Sequence, residues 1–233
     1  MQANNQYAFG LIGLGVMGRN FILNVAEKGF TALGYDLDPG QVEALKREGG
    51  NLDRVNATNS LEAFVQGLET PRKIMLLVPA GPIVDSVIEE LLPLVSAGDL
   101  IIDGGNSFFR DTDRRQAYLK EKNIHFFGAG VSGGAEGARR GPSLMPGGDR
   151  DAYREVQPIF EAVAAKFEGT PCVAYLGPKS AGNYVKMVHN GIEYGMMQAM
   201  AEGFEIMHKK SELSLDLAAV GCIYSIPIPR SLM

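Results

Sequence analysis

Cysteine is scarce in this 233-residue chain. Its two cysteines, Cys172 and Cys222, have neither the spacing of a metal site nor that of a disulfide framework, which points to a reducing compartment. No apolar run approaches the roughly 20 residues that a membrane helix needs, so no spanning helix and no membrane partner are expected. The first residues, Met1 to Gln6, are polar and lack the layout of a signal peptide, and the protein is expected to be cytoplasmic. A basic surplus is missing too. The formal net charge is −5, which argues against a general nucleic-acid binder but leaves room for a local cationic pocket. Internal repeats and low-complexity tracts are lacking. What remains is a composition ordinary for a globular protein, 45% hydrophobic and 21% charged, in a chain long enough for one large domain and part of a second.

Short apolar runs alternate with amphipathic stretches. Tyr7–Ile12, Thr31–Tyr35, Lys73–Val78, Leu100–Asp103 and Ile124–Gly128 read as buried strands, with Val55–Ala57 a further short one. Met17–Lys28, Pro39–Arg47, Ile83–Leu92 and Thr112–Lys122 read as helices between them. This alternation predicts an α/β fold: a Rossmann-like, doubly wound, mainly parallel sheet covered on both faces. The glycine-rich stretch Gly128–Gly148 reads as a long functional loop. Asp151–Ala165 then reads as a helix, Cys172–Leu176 as a strand, Ser180–Lys209 as one long helix and Leu213–Val220 as another. The prolines of the tail 226–233 exclude regular helix there. The expected division is a dinucleotide-binding domain over 1–179 and the start of a helical domain over 180–233.

Gly13-Leu-Gly15-Val16-Met17-Gly18 follows the first strand and opens the first helix. A lone GxGxxG means little, but here it has the strand–turn–helix setting that a dinucleotide site requires. Gly13 permits the turn, Gly15 admits a pyrophosphate to the backbone, and Gly18 allows close packing of helix on sheet. Asp36 ends the second strand at the distance where a carboxylate meets the adenosine ribose. It would repel the 2′-phosphate of NADP, and no arginine directly follows it, so NAD is favoured with NADP possible. A cap for the turn before Pro39 is its blander role. Val78-Pro79-Ala80-Gly81, after the fourth strand of the run, lies on the same edge, either bordering the nicotinamide ribose or making a plain turn.

If Ser180–Lys209 is helical, Lys186, His189, Asn190 and Glu193 recur at i, i+3, i+4 and i+7 and share one face. An amine, an imidazole, an amide and a carboxylate at that spacing form a polar constellation where a core helix would place apolar residues. The lysine suits a base and the glutamate an acid, provided burial and neighbours tune them. The bland reading is a solvated Lys…Glu face. Two further loops fall on the ligand edge: Asp103-Gly-Gly-Asn106-Ser107 offers neutral hydrogen bonds, and Ser132-Gly133-Gly134 combines backbone N–H groups with a hydroxyl in a nest suited to an anion. Arg139 and Arg140 could attract an anion but read first as a solvated basic turn, and His125 reads as structural.

These motifs resemble the 6-phosphogluconate dehydrogenase family, within the wider β-hydroxyacid dehydrogenase group. The resemblance is carried by Gly-Leu-Gly-Val-Met-Gly at 13–18, Ile-Ile-Asp-Gly-Gly-Asn-Ser at 101–107, Gly-Val-Ser-Gly-Gly-Ala-Glu-Gly-Ala-Arg at 130–139, Pro-Ser-Leu-Met-Pro-Gly-Gly at 142–148 and Lys-Met-Val-His-Asn-Gly-Ile-Glu-Tyr at 186–194. It implies oxidative decarboxylation of 6-phosphogluconate to ribulose 5-phosphate without a metal. In that pattern Lys186 is the general base at the 3-hydroxyl, Glu193 is the acid that protonates C1, and Asn190 belongs to the same catalytic group. His189, Tyr194, Asn106, Ser132, Gly133 and Gly134 match substrate-binding residues. Gly13, Gly15, Val16, Met17, Gly18, Asp36, Val78, Pro79, Ala80 and Asn106 match the cofactor side.

Two departures follow. Many members carry Asn-Arg-Thr where this chain has Asp36-Leu-Asp38, which is similar to the NAD-preferring branch. Members also continue into a large helical domain that mediates dimerisation and supplies phosphate ligands. This sequence ends at Met233, so weak substrate affinity is expected, with Arg230 as a stray candidate ligand. A homodimer is expected. The alternatives are a dinucleotide-binding fragment without turnover, or a β-hydroxyacid dehydrogenase for a small unphosphorylated 3-hydroxy acid.

Overall fold

The structure, a computed structural model, describes residues 7–50, 52–209 and 211–224. The tail 226–233, with Arg230, and the polar segment 1–6 lie outside the described residues. The chain divides into two compact units, Met1–Met187 and Val188–Met233. The expected boundary at 179/180 precedes the long helix, whereas the contacts divide within that helix.

The first unit is built on strands β1 (Phe9–Ile12), β2 (Ala32–Tyr35), β3 (Val55–Thr58), β4 (Lys73–Leu76), β5 (Leu100–Asp103), β6 (His125–Ser132) and β7 (Ser143–Gly148). They form one sheet in the order β3-β2-β1-β4-β5-β6-β7. Every neighbouring pair is parallel except β6–β7. Helices α1 (Val16–Glu27), α2 (Pro39–Gly49), α6 (Gly134–Arg140) and α7 (Arg150–Val163) cover one face, and α3 (Leu61–Gly67), α4 (Pro82–Leu91) and α5 (Phe109–Lys120) cover the other. Strand periodicity assigns the side chains: Met75, Leu100 and Ile102 join Phe21 and Val25 of α1 in one core, whereas Ile74, Leu76 and Ile101 join Val84 and Ile88 of α4 in the other. A sheet buried on both faces accounts for the continuous apolar runs of β1, β4 and β5. The order reverses between β1 and β4, and the crevice at the carboxyl ends of these strands is where such sheets bind ligands.

The expected loop over Gly128–Gly148 is instead ordered. β6 runs on to Ser132, α6 follows, and β7 returns antiparallel, with Gly128 opposite Gly147 and Gly130 opposite Met145. Its glycines serve packing. Helix α8 (Ala181–Lys209) begins on this strand pair. A methyl group on Gly182 would collide with the backbone oxygens of Gly128 and Met145, and one on Gly128 would collide with Asn183. The expected strand Cys172–Leu176 reduces to a single bridge, Val173 to Leu144, with Leu144 N–H donating to Cys172 O (3.0 Å) and Leu176 N–H to Pro146 O (2.9 Å). Regular pairing nearby is confined to β8 (Lys166–Phe167) and β9 (Thr170–Pro171). The sequence reading missed α3, which is too short to show a period: Ser60 caps it through Ala63 N–H at 3.2 Å, and Phe64 and Val65 bury it.

The second unit holds the remainder of α8, a 3-10 turn at Ser211–Leu213 and helix α9 (Leu217–Tyr224). The helix expected over Leu213–Val220 therefore starts later. Asp216 sets its start by accepting from Ala218 N–H (3.0 Å) and Ala219 N–H (3.2 Å). Among the described residues no helix is long and apolar enough to cross a membrane.

One buried side chain fastens α1 to two later helices. Asn24 Nδ2 donates to Ala138 O (3.1 Å) and Val163 O (3.0 Å). Asn24→Ala should leave both carbonyls unsatisfied and cost about 2–3 kcal/mol, measured as a lower denaturant midpoint at unchanged slope.

Candidate active site

The glycine turn leaves β1 with Gly13 at φ 98°. A side chain there would strike the backbone oxygen of Leu77, at the end of β4, and one on Gly18 would strike Gly13 O. Nothing lies within 4 Å of the space above Gly15. Helix α1 has no side-chain cap and no acidic residue in its own first turn. Open space over Gly15 beside an uncapped helix N-terminus fits a pyrophosphate.

Asp36 does more than end β2. Its Oδ2 accepts from Leu14 N–H (2.7 Å) and its Oδ1 from Asp38 N–H (2.9 Å). The cap of α2 is Asp38, which accepts from Gly40 N–H at 2.8 Å. Asp36 thus braces the glycine turn and keeps acceptor capacity, since each carboxylate oxygen has two lone pairs. Leu37 beside it is 76% exposed. Arg19, one turn into α1, is engaged with Leu14 O (2.8 Å), Gln41 Oε1 and Glu48 (3.2 Å).

The loops after β4 and β5 meet. Gly104 N–H donates to Leu76 O (2.9 Å), and a methyl on Gly105 would lie 3.1 Å from Val78 O. Val78-Pro79-Ala80 and Asn106 are thereby neighbours across the strand edge. Beneath them is Arg115 of α5, 1% exposed. Its Nε and Nη2 donate to Asp85 Oδ1 (2.9 Å) and Oδ2 (3.0 Å), Nη2 also donates to Gly81 O (2.9 Å), and Nη1 donates to Ser107 Oγ (3.3 Å) and Asp103 Oδ2 (3.5 Å). Hydrogen bonds from Arg115 hold the Asp85 carboxyl below its ordinary value against some desolvation, helped by Arg114. Burial pushes Asp103 up, although Ser107, Gly105 N–H and Arg115 pull the other way. Sequence reading missed Arg115 and Asp85. The only signal was a buried-side arginine inside the charged run Asp111-Thr-Asp-Arg-Arg115, which amphipathicity alone does not single out.

Ser132 ends β6, and Gly133 (φ 129°) and Gly134 (φ 61°) turn the chain into α6. Arg139 pairs with Glu27 of α1, and Arg140 with Glu136 at 2.6 Å. Arg139 is therefore a tie between helices rather than a solvated turn. His125 opens β6, its Nδ1 2.9 Å from Asp149 Oδ2, far along the strand from Ser132. A cavity of about 900 Å³ lies at that amino edge, lined in part by Gly98, Lys120, His125 and Lys179, and holds none of the expected site residues.

Lys186 belongs to the first unit and is buried, 7% exposed. A methyl on Gly130 would sit 2.5 Å from Lys186 Cβ and 2.9 Å from its Cγ, so the bare strand seats the lysine stem two residues before Ser132. Asn183, one turn earlier, accepts from Thr112 Oγ1 (3.1 Å) and donates to Gly105 O (3.2 Å), tying α8 to the Asn106 loop. In the second unit, His189 Nδ1 lies 3.7 Å from Glu193 Oε2 and 3.4 Å from Asn190 Oδ1, while Tyr194 is 65% exposed. α8 is one continuous helix from Ala181 to Lys209, as the spacing of the four polar residues requires.

A family model described as the NAD binding domain of 6-phosphogluconate dehydrogenase matches residues 8–177, and one for that enzyme's C-terminal domain matches 182–223. This chain belongs to the 6-phosphogluconate dehydrogenase family. It is 50% identical over 89% of its length to an NADP(+)-dependent, decarboxylating 6-phosphogluconate dehydrogenase of Bacillus subtilis, covering 44% of that protein. It is 52% identical over 86% of its length to decarboxylating 6-phosphogluconate dehydrogenase 1 of Saccharomyces cerevisiae, covering 41% of it. Among solved structures, the Plasmodium falciparum 6-phosphogluconate dehydrogenase, determined apo, with NADP+ and with 6-phosphogluconate, superposes with a TM-score of 0.83 at 44% identity, over 90% of this chain and 44% of that one. The chain thus spans less than half the length of these relatives. The dehydrogenase family accounts for the NAD(P)-binding fold of the first unit.

The Arg115 network makes a pH prediction. Asp85 has a lowered folded pKa, so its contribution to stability is full above the unfolded value of about 3.9 and is lost as pH falls through the lower folded value. Asp103, raised by burial, acts in the opposite sense. Asp85→Asn should therefore lower stability at neutral pH and flatten its loss below about pH 4 relative to the parent, as read from chemical denaturation across pH.

Proposed function

We propose that this chain carries the cofactor site and the catalytic lysine of an NAD(P)-dependent, decarboxylating 6-phosphogluconate dehydrogenase, converting 6-phosphogluconate to ribulose 5-phosphate and CO2. The observation that carries the reading is Lys186, buried with its stem on Gly130 of the strand that ends in Ser132. The nicotinamide supplies the hydride acceptor when bound. Lys186 takes the proton of the 3-hydroxyl and, once protonated, donates a hydrogen bond to the 3-keto oxygen. That keto group is the electron sink into which the C1–C2 bond breaks as CO2 leaves. Glu193 then delivers a proton to the former C2 of the enediol, which becomes C1 of ribulose 5-phosphate, with Asn190 and His189 orienting the substrate and Tyr194, Asn106 and the Ser132–Gly134 turn binding it. Hydrogen-bond donors fixed before the reaction stabilise the developing enolate, so no metal is needed.

For the cofactor we favour NAD. Asp36 is held at the end of β2 by two backbone N–H groups, Leu37 follows it, and Arg19 is engaged elsewhere. A carboxylate fixed there accepts from ribose hydroxyls and repels a 2′-phosphate. Against this reading, the Bacillus subtilis relative is NADP-dependent by its name and the Plasmodium falciparum structure was determined with NADP+, which favours NADP.

We further favour a homodimer. In α8, Ile192, Met196 and Met200 recur every four residues and are 51–59% exposed, an apolar stripe that a second copy would cover. Light scattering should give twice the chain mass, and a monodisperse monomer would overturn this.

The decisive assay follows reduced nicotinamide with 6-phosphogluconate. NAD should be preferred over NADP by roughly ten- to hundredfold in kcat/KM, and Lys186→Met should lower kcat by about 10²–10⁴ while dinucleotide binding persists. Cofactor binding without turnover in the parent chain would instead make it a dinucleotide-binding fragment.

A further inference from the structure

Arg115 is placed where two functions meet. A guanidinium has five N–H donors in a fixed plane, and Arg115 makes five hydrogen bonds: two to Asp85, one to Gly81 O, one to Ser107 Oγ and one to Asp103 Oδ2. These acceptors come from different segments. Asp85 belongs to α4, and Gly81 closes the Val78–Ala80 loop at the helix start with φ 97°. Asp103 ends β5, its Oδ1 accepting from Gly105 N–H at 3.1 Å, and Ser107 closes the loop that carries Asn106. The Asp85 side chain is 36% exposed against 1% for both Arg115 and Asp103.

We infer that Arg115 is a positioning residue that holds the Val78–Ala80 loop and the Asn106 loop in one fixed register, so that the nicotinamide half of the cofactor and the substrate are presented to each other. The inference rests on the proposed assignment of those two loops to cofactor and substrate. The physical basis is the planarity of the fork. A lysine offers three donors on a flexible stem and cannot reach five acceptors spread over residues 81–85 and 103–107. Without the fork, two loops joined by Gly104 N–H to Leu76 O would keep their strand anchors but lose their mutual alignment at the tips. The adenosine half of the cofactor meets different groups, the Gly13–Gly18 turn and Asp36, which share no hydrogen bond with Arg115 among those described.

That separation supplies the test. Dissociation constants for NAD and for ADP-ribose, which lacks the nicotinamide, are measured by calorimetry on the parent chain, Arg115→Lys and Asp85→Asn. Both variants should weaken NAD roughly tenfold, the loss expected for a charge-assisted hydrogen bond, and leave ADP-ribose within about twofold. Equal weakening of both ligands would show a general structural role and overturn the inference, as would no change in either. If Arg115→Lys does not fold, Asp85→Asn decides alone, since its partly exposed side chain changes charge and not shape. A parent chain that binds neither ligand would overturn the dinucleotide reading itself, whereas ADP-ribose binding without the difference overturns the inference alone.

Discussion

Everything in the first unit is arranged around one close approach, the first turn of α8 against β6 and β7. Gly182 presses on the carbonyls of Gly128 and Met145, and Gly147 meets the backbone of Ala181 and Gly182. Four glycines, counting Gly130 under the lysine stem, let a helix backbone lie directly on a strand pair with no side-chain layer between them. At ordinary helix–sheet separation Lys186 would float on its own flexible stem. Here the stem is confined against Gly130. The loss of side-chain entropy, up to about 1.5–2 kcal/mol for a lysine, is met during folding.

The same economy governs the other edges. Each segment near the crevice is fixed by a polar side chain that belongs to a neighbouring element: Asp36 on Leu14 N–H, Arg115 under the loops after β4 and β5, Asn183 on Gly105 O, Asn24 on the ends of α6 and α7. Buried polar groups placed in this way hold geometry more firmly than apolar contacts, which tolerate sliding, because an unmade bond in the interior costs the full desolvation of its partner.

The sheet was legible in the sequence because parallel strands buried on both faces are continuous apolar runs: β1, β2 and β5 are each four buried residues, and β4 is three after Lys73. The glycine fingerprint was legible because its setting is local. The stretch 128–148 was misread for a physical reason: glycine marks both irregular chain and close approach, and the partner that explains Gly128, Gly130 and Gly147 comes about 35–56 residues later in α8. Arg115 was hidden for the converse reason. An arginine in a charged helix looks solvated until Gly81 and Asp85 of one segment and Asp103 and Ser107 of another are seen to enclose it. Asp36 was assigned a ligand from its position, but its two backbone donors could be found only in three dimensions.

Those two donors constrain how cofactor choice in this lineage can change. Asp36 is both the proposed ribose ligand and the brace of the glycine turn through Leu14 N–H. A substitution that admits a phosphate by introducing a basic side chain at 36 would also orphan the Leu14 amide and loosen the turn. Asparagine keeps a side-chain oxygen for that amide while removing the charge, so the accessible path runs through Asn at 36, with the cation entering at the exposed neighbour Leu37. The brace thus channels evolutionary drift in cofactor use into one order of steps: neutralise first, then add charge one residue along.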